Sequence, residues 1–143
     1  MDKNTHVTVS MRRKISGLLI ALFSLVIIIA LVAFFFPLLW FKIFHDAPYI
    51  DPQGLLPRCG ANWLAFALVQ TLALLRWEKK PYWLAIVAGV RLSDVFTDWA
   101  YLMSCSSITV FGGISLILMS PLNLLFGIYF LTTYKKIAKE RQR

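Results

Sequence analysis

The segment ISGLLIALFSLVIIIALVAFFFPLLWF, residues 15 to 41, contains no charged side chain and decides the class of protein. An α-helix needs roughly 20 predominantly apolar residues to cross the hydrocarbon core of a bilayer. A secretory signal peptide also follows basic residues, but its apolar core is only about 7–15 residues long and precedes a small-x-small cleavage site. This segment is longer and lacks such a site, so we predict a retained membrane-spanning helix.

The composition of the whole chain supports the same class. Of its 143 residues, 59% are apolar and 15% are charged, whereas soluble domains average about 25% charged residues. A compact helical bundle in the lipid bilayer would use the entire length, so we predict a single membrane domain over residues 1–143. We predict no nucleic-acid partner, because the basic residues behind the net charge of +8 lie at the ends of apolar segments.

Apolar stretches and turn residues along the rest of the chain predict an all-α, polytopic membrane protein with a four-transmembrane-helix bundle. The predicted helices cover about residues 15–44, 60–77, 81–104 and 108–134. Three prolines and a glycine exclude a continuous helix from the outer loop, residues 45–59: Pro48, Pro52, Gly54 and Pro57. Pro121 predicts a kink in the fourth helix, and a basic cytoplasmic tail, 135–143, follows. Short connections predict that consecutive helices are antiparallel neighbours.

The distribution of basic residues predicts the orientation. Twelve of the 15 Lys and Arg residues flank the same ends of the predicted helices. Lys42 and Arg58 lie at the opposite ends, and Arg91 lies between. Because cytoplasmic loops carry the excess of Lys and Arg, we predict that both termini are cytoplasmic and that the protein is a multi-pass protein of the bacterial inner membrane.

Three charged residues interrupt the third predicted helix in the sequence RLSDVFTD, residues 91–98. At about 100° per residue, Arg91, Asp94 and Asp98 share one narrow stripe. A charge at the bilayer centre costs roughly 2.5–3.5 kcal/mol on insertion scales, so this stripe must face protein or water. We predict a polar cluster in which Arg58 is a second cation for Asp98 and three amides lie at the edges: Asn62, Gln70 and Asn123.

Three interpretations of this cluster are open. Arg91 and Asp94 can neutralise one another at i,i+3 and have only a structural role, fixing which helices are neighbours. The stripe can instead be a ligand or ion site, including a proton relay, because ionisable groups inside a membrane often carry function. It can also be an interface to another membrane subunit or to a second copy in a homodimer.

The opposite face of the same helix carries small residues. Such residues at a spacing of four let two helix backbones approach closely in lipid, and here they are Ala85, Gly89, Ser93 and Thr97. With one polar and one small face, the third helix is predicted to be the central helix of the bundle.

Cysteine and histidine residues near the outer end offer weaker signals. Cys59 and Cys105 lie at the outer ends of the second and third helices, on the oxidising side of the membrane. They are consistent with a disulfide, with two inert thiols, or with a redox-active pair, although no CxxC motif is present. His45 with Asp46 or Asp51 is a poorly specified metal candidate, and we favour a solvated loop. We predict no metal, no cofactor and no catalytic residue.

The plan of the chain resembles the DoxX-like family of small four-helix bacterial membrane proteins. The resemblance rests on a long first helix, an outer loop with prolines, and the turn Arg58, Cys59, Gly60 that opens the second helix. The resemblance covers most of the chain, but only in the order and length of its apolar segments and loops. It implies an accessory subunit near a thiol or quinone oxidoreductase partner. It does not extend to RLSDVFTD and therefore implies no functional residue.

These observations lead to three functional hypotheses. The first is a small non-catalytic subunit or accessory protein whose polar third helix docks a partner or binds a ligand. The second is a proton- or ion-coupled small transporter that uses Asp94 or Asp98. The third is a component of a membrane redox enzyme that uses Cys59 and Cys105 with a quinone-like cofactor.

Overall fold

The structure, a computed structural model, describes residues 8–142. Within this range the secondary structure is entirely helical, and the five helices follow in the order α1 Val9–Phe35, α2 Pro37–Phe44, α3 Leu55–Arg76, α4 Tyr82–Ser104 and α5 Val110–Gln142. Lys3 and Arg143, two of the basic residues behind the predicted orientation, lie outside the described residues.

Three helices, α1, α3 and α5, are long and apolar enough to cross a membrane. They confirm the prediction of an all-α protein with membrane-spanning helices. Helix α4, Tyr82–Ser104, has 23 residues but is not among the three, and it carries Arg91, Asp94 and Asp98. The predicted count of four spans therefore depends on whether this charged helix also crosses.

The helices associate as two pairs, α1 with α3 and α4 with α5. The consecutive helices α3 and α4 touch only sparingly, although the short turn between them predicts close neighbours. Helix α4 is thus not the central helix of the bundle, because one of its faces packs along α5 and another stays open. The two pairs are joined mainly at their ends.

One joint lies at the end that carries the described termini, which we call the terminal end. A buried apolar core occupies it, with contributions from α1, α3, α4 and α5: Ile15, Leu19, Leu22, Ala73, Trp77, Leu84, Val87, Ala88, Phe130 and Ile137. Beyond the core, Arg12 of α1 pairs with Glu78 at 2.6 Å, and Arg141 of α5 donates to the backbone oxygen of Lys79 at 3.0 Å. The first turns of α1 and the last turns of α5 therefore lie together.

The predicted first helix, 15–44, is divided in two. Helix α1 already begins at Val9, where the Thr8 side chain accepts a hydrogen bond from the Met11 amide at 3.3 Å. The chain leaves helical geometry at Phe36, and Pro37 opens α2 at its first position. Proline suits that position because its missing N–H has no helical partner there.

Helix α3 begins at Leu55, earlier than the predicted residue 60. The Asp51 carboxylate accepts hydrogen bonds from the amides of Leu55 (2.8 Å) and Leu56 (2.9 Å), which provides a start signal in the sequence. The bonds from Leu56 and Leu55 lower the pKa of Asp51. Pro57 does not exclude a helix here, because it falls in the first turn, where proline is tolerated.

Helix α5 continues to Gln142, so most of the predicted tail, 135–143, is helical and not a flexible extension. Pro121 lies inside this helix without ending it. The turns beyond Tyr134 stay attached to the bundle, because Ile137 is buried in the apolar core and Arg141 bonds to the α3–α4 turn.

Candidate functional site

The predicted polar cluster forms around Arg91, whose side chain is only 4% exposed. Its Nη1 donates to Asp94 Oδ2 at 3.3 Å and to Asn123 Oδ1 at 3.4 Å. Arg91 and Asp94 lie one helical turn apart on α4, and Asn123 comes from α5. Two of the predicted partners thus contact the guanidinium, and the contact contributes to the packing of α4 on α5.

The cluster retains hydrogen-bonding capacity that the described part of the chain does not use. Arg91 Nε and Nη2 and Asp98 Oδ2 are all buried and have no hydrogen-bond partner among the described residues. Buried polar groups are usually paired, because desolvation without a partner costs about 1–3 kcal/mol. Arg91 therefore keeps two unpaired donors and Asp98 one unpaired acceptor inside the packed part of the molecule.

Three other predicted members do not join this cluster. Arg58 is exposed, and the ion pairs among residues 8–142 are Arg12–Glu78 and Arg91–Asp94, so Arg58 is not the cation of Asp98. Asn62 is also exposed. Gln70 is fully buried, but its amide nitrogen and oxygen have no hydrogen-bond partner in the described chain. Sequence periodicity placed these residues on α3, yet α3 and α4 make few contacts.

The small face of α4 is open. Gly89, Ser93 and Thr97 are exposed, and Ala85 is half-buried. A Cβ atom placed on Gly89 would meet no atom within 4 Å. The hydroxyls of Ser93 and Thr97 donate to the backbone oxygens of Val90 (2.8 Å) and Asp94 (3.0 Å), so they add little bulk and leave no free donor. Close packing against another helix was predicted here, and no helix in the described chain provides it.

A second polar site, at the end opposite the terminal end, was missed by the sequence analysis. His45 is buried, with 7% of its surface exposed, so the interpretation of a solvated loop is wrong. Its Nδ1 lies 2.7 Å from the backbone oxygen of Ser107, and its Nε2 lies 2.5 Å from the hydroxyl of Tyr101. The Ser107 hydroxyl donates back to the backbone oxygen of His45 at 2.7 Å. We call His45, Tyr101 and Ser107 the outer joint.

The outer joint determines which ring nitrogen of His45 is a hydrogen-bond donor. A backbone oxygen only accepts hydrogen bonds, so Nδ1 of His45 donates to Ser107. In the neutral imidazole Nε2 then accepts a hydrogen bond from the hydroxyl of Tyr101. The joint connects the end of α2 to α4 and to the α4–α5 connection, and Thr109 adds a backbone bond to Phe44 at 2.8 Å. In the sequence, the run Cys105-Ser106-Ser107 at the end of α4 indicates this polar contact, because polar residues at a helix end need hydrogen-bond partners.

The two cysteines are both free thiols. Cys105 Sγ donates to the backbone oxygen of Ser107 at 2.9 Å and lies 3.7 Å from Nδ1 of His45. Because that nitrogen carries a proton that it donates to Ser107, it does not serve as a base for the thiol. Cys59 is exposed and lines a cleft of about 260 Å³ together with Tyr101 and His45. This structure therefore has no disulfide between Cys59 and Cys105; a disulfide was one of three interpretations of the sequence.

The predicted metal candidate is not supported by the arrangement of its residues. Asp51 caps α3 through its carboxylate, and both nitrogens of His45 are occupied by Ser107 and Tyr101. Within residues 8–142 no group of three or more His, Cys, Asp and Glu side chains is placed to hold a metal ion.

Comparison with protein-family models, with curated proteins and with solved structures finds no match to this chain. Chemically, the Arg91 cluster retains unpaired donors and an unpaired acceptor, whereas the outer joint uses its polar atoms to hold helices together.

Proposed function

We propose that this chain is a four-span protein of the bacterial inner membrane, with both ends cytoplasmic, that acts as a non-catalytic subunit or accessory protein. In this proposal α4 is the fourth span, and it docks a membrane partner. The observation that carries the proposal is the open face of α4, which exposes Gly89, Ser93 and Thr97 on a helix that also holds three charged residues.

The surface of α4 favours contact with protein over contact with lipid. A helix with a buried arginine and two partly buried aspartates is costly to insert on its own. Its small open face is the kind of surface that lets a second helix approach closely in a bilayer. The exposed hydroxyl-bearing residues Ser93 and Thr97 lie on that same face, so a partner helix would pack against small side chains. The partner is another membrane subunit or a second copy of this chain.

The test compares glycines on two open helix faces. Gly89→Leu on α4 and Gly17→Leu on α1 introduce the same side chain, and neither glycine has an atom within 4 Å of its Cβ position. We expect Gly89→Leu to abolish co-purification of the partner, or of a differently tagged second copy, and Gly17→Leu to retain it. Retention by Gly89→Leu would reject the docking role of α4.

A second function, a proton- or ion-coupled transporter, is favoured by one observation. Asp98 Oδ2 is buried without a hydrogen-bond partner among the described residues, which suits a carboxyl group that gains and loses a proton. In proteoliposomes, Asp98→Asn and Asp94→Asn should each abolish a pH-dependent flux. The exposed residue Asp46 gives the control Asp46→Asn, which should keep the flux. Normal flux in both helix variants would remove this alternative.

A further inference from the structure

A cleft of about 340 Å³ opens at the terminal end, where α3 turns into α4. It is lined by Leu75, Arg76, Lys79 and Lys80. All four side chains are exposed. The cleft thus combines three cationic groups with one apolar side chain, and it shares no lining residue with the Arg91 cluster.

The positive charge of this cleft is not neutralised by the neighbouring acid. Glu78 is the only acidic residue in the turn sequence RWEKKP, and its Oε1 accepts a hydrogen bond from Arg12 Nε of α1 at 2.6 Å. Arg76, Lys79 and Lys80 make no ion pair with the described residues. The turn therefore directs its acid toward α1 and leaves its three cations around the cleft.

The backbone beneath the cations is held in place. The backbone oxygen of Arg76 accepts hydrogen bonds from the amides of Lys79 (3.1 Å) and Lys80 (2.8 Å). From α5, Arg141 donates Nη1 to the oxygen of Lys79 at 3.0 Å and Nη2 to the oxygen of Glu78 at 2.5 Å. The backbone that carries the three cationic side chains is therefore already ordered, so less conformational entropy is lost when they bind an anion.

We propose that this cleft binds the phosphate group of an anionic membrane lipid. Arg76, Lys79 and Lys80 would contact the phosphate oxygens, and an acyl chain would lie along Leu75, which is 72% exposed. The apolar residue favours a lipid over a free phosphate ion, which has no group to place against it. Basic pockets at the cytoplasmic membrane surface recognise such headgroups. The inference rests on the proposed membrane setting but not on the docking role of α4.

The experiment uses the full-length protein in detergent and counts bound lipids by native mass spectrometry. The probes are dioleoyl-phosphatidylglycerol, dioleoyl-phosphatidylcholine and inorganic phosphate. The cleft variant is Arg76→Gln/Lys79→Gln/Lys80→Gln. A matched control, Lys135→Gln/Lys136→Gln/Lys139→Gln, removes the same charge from exposed residues of α5 at the same end. Circular dichroism checks that both variants keep their helices, and Lys80→Gln alone serves if the triple variant does not fold.

We expect the wild-type protein to retain phosphatidylglycerol in preference to phosphatidylcholine. At about fivefold per contacting cation, the cleft variant should lose about 100-fold in affinity and Lys80→Gln about fivefold. The α5 control, whose lysines do not line the cleft, should lose less than twofold. Equal losses in the two triple variants would overturn the proposal, since net charge alone would then explain binding. Equal retention of both lipids, or displacement of the lipid by millimolar inorganic phosphate, would overturn it as well.

Discussion

The imidazole Nε2 of His45 lies 2.5 Å from the hydroxyl oxygen of Tyr101, within hydrogen-bond distance. These residues are separated by 56 positions in the chain, and their contact connects the end of α2 to α4. Together with the apolar core at the terminal end, it holds the two helix pairs at opposite ends of the molecule. The Arg91 cluster lies on α4 between these two joints.

The first prediction concerns the outer joint. Tyr101→Phe removes the proton donor and leaves Nε2 of the buried His45 without a partner, which should lower the free energy of unfolding by about 1–3 kcal/mol. Denaturant unfolding in detergent measures the change. The exposed Tyr82 on the same helix provides the control Tyr82→Phe, which should have little effect. Equal losses in both variants would show that the His45–Tyr101 bond does not stabilise the fold.

The second prediction concerns the packing of α1 on α3. A Cβ atom on Gly60 would lie 2.9 Å from the amide nitrogen of Phe34 and 3.0 Å from the oxygen of Ala30, both backbone atoms. Gly60→Val should therefore destabilise the protein by about 1–3 kcal/mol, as overpacking generally does. Gly17→Val on the open side of α1 isolates this effect from helix propensity. A thermal midpoint that falls equally in both variants would contradict the close approach of α1 and α3.

The third prediction separates a buried ion pair from an exposed one. Arg91→Leu leaves Asp94 without its cation and should cost about 3–5 kcal/mol, as breaking buried pairs does. Arg12→Leu breaks the exposed pair with Glu78 and should cost at most about 1 kcal/mol. A double-mutant cycle with Asp94→Leu should give a loss smaller than the sum of the single losses. Strict additivity would mean that Arg91 and Asp94 do not stabilise one another.

The fourth prediction uses the lowered pKa of Asp51. The carboxylate form accepts the amides of Leu56 and Leu55, so its contribution is fully present above its ordinary pKa of 3.8 and is lost as pH falls through the lower folded-state value. Asp51→Asn lacks this titration. The difference in urea midpoint between the wild-type protein and the variant should therefore shrink between pH 5 and pH 2. A difference independent of pH would exclude Asp51 as the cap of α3.

The parts of this structure that depend on one helix were predictable from the sequence. Arg91 and Asp94 contact each other because a spacing of three places them on one helix face. The helices themselves follow from the apolar runs, with α4 matching residues 81–104 within one position. Helix α3 begins five residues before the predicted start, because the Asp51 carboxylate accepts the amides of Leu55 and Leu56.

The parts that depend on how helices rotate against one another were not predictable. Arg58 and Asn62 lie on α3 at positions that helical periodicity allows to face α4, but α3 packs on α1 through Gly60. His45 was assigned to a solvated loop because its partners, Tyr101 and Ser107, are far away in the sequence. Such contacts become visible only when the pairing of helices is known.

The length of helix α5 determines how far the protein extends beyond a bilayer at the terminal end. Its 33 residues extend over about 50 Å at 1.5 Å per residue, which exceeds the roughly 30 Å of a bilayer's hydrocarbon interior. The last turns of α5 would therefore extend beyond the hydrocarbon interior as a rigid helix, which Arg141 attaches to the α3–α4 turn. A spin label at Gln142 should therefore keep a narrow range of distances to one on that turn.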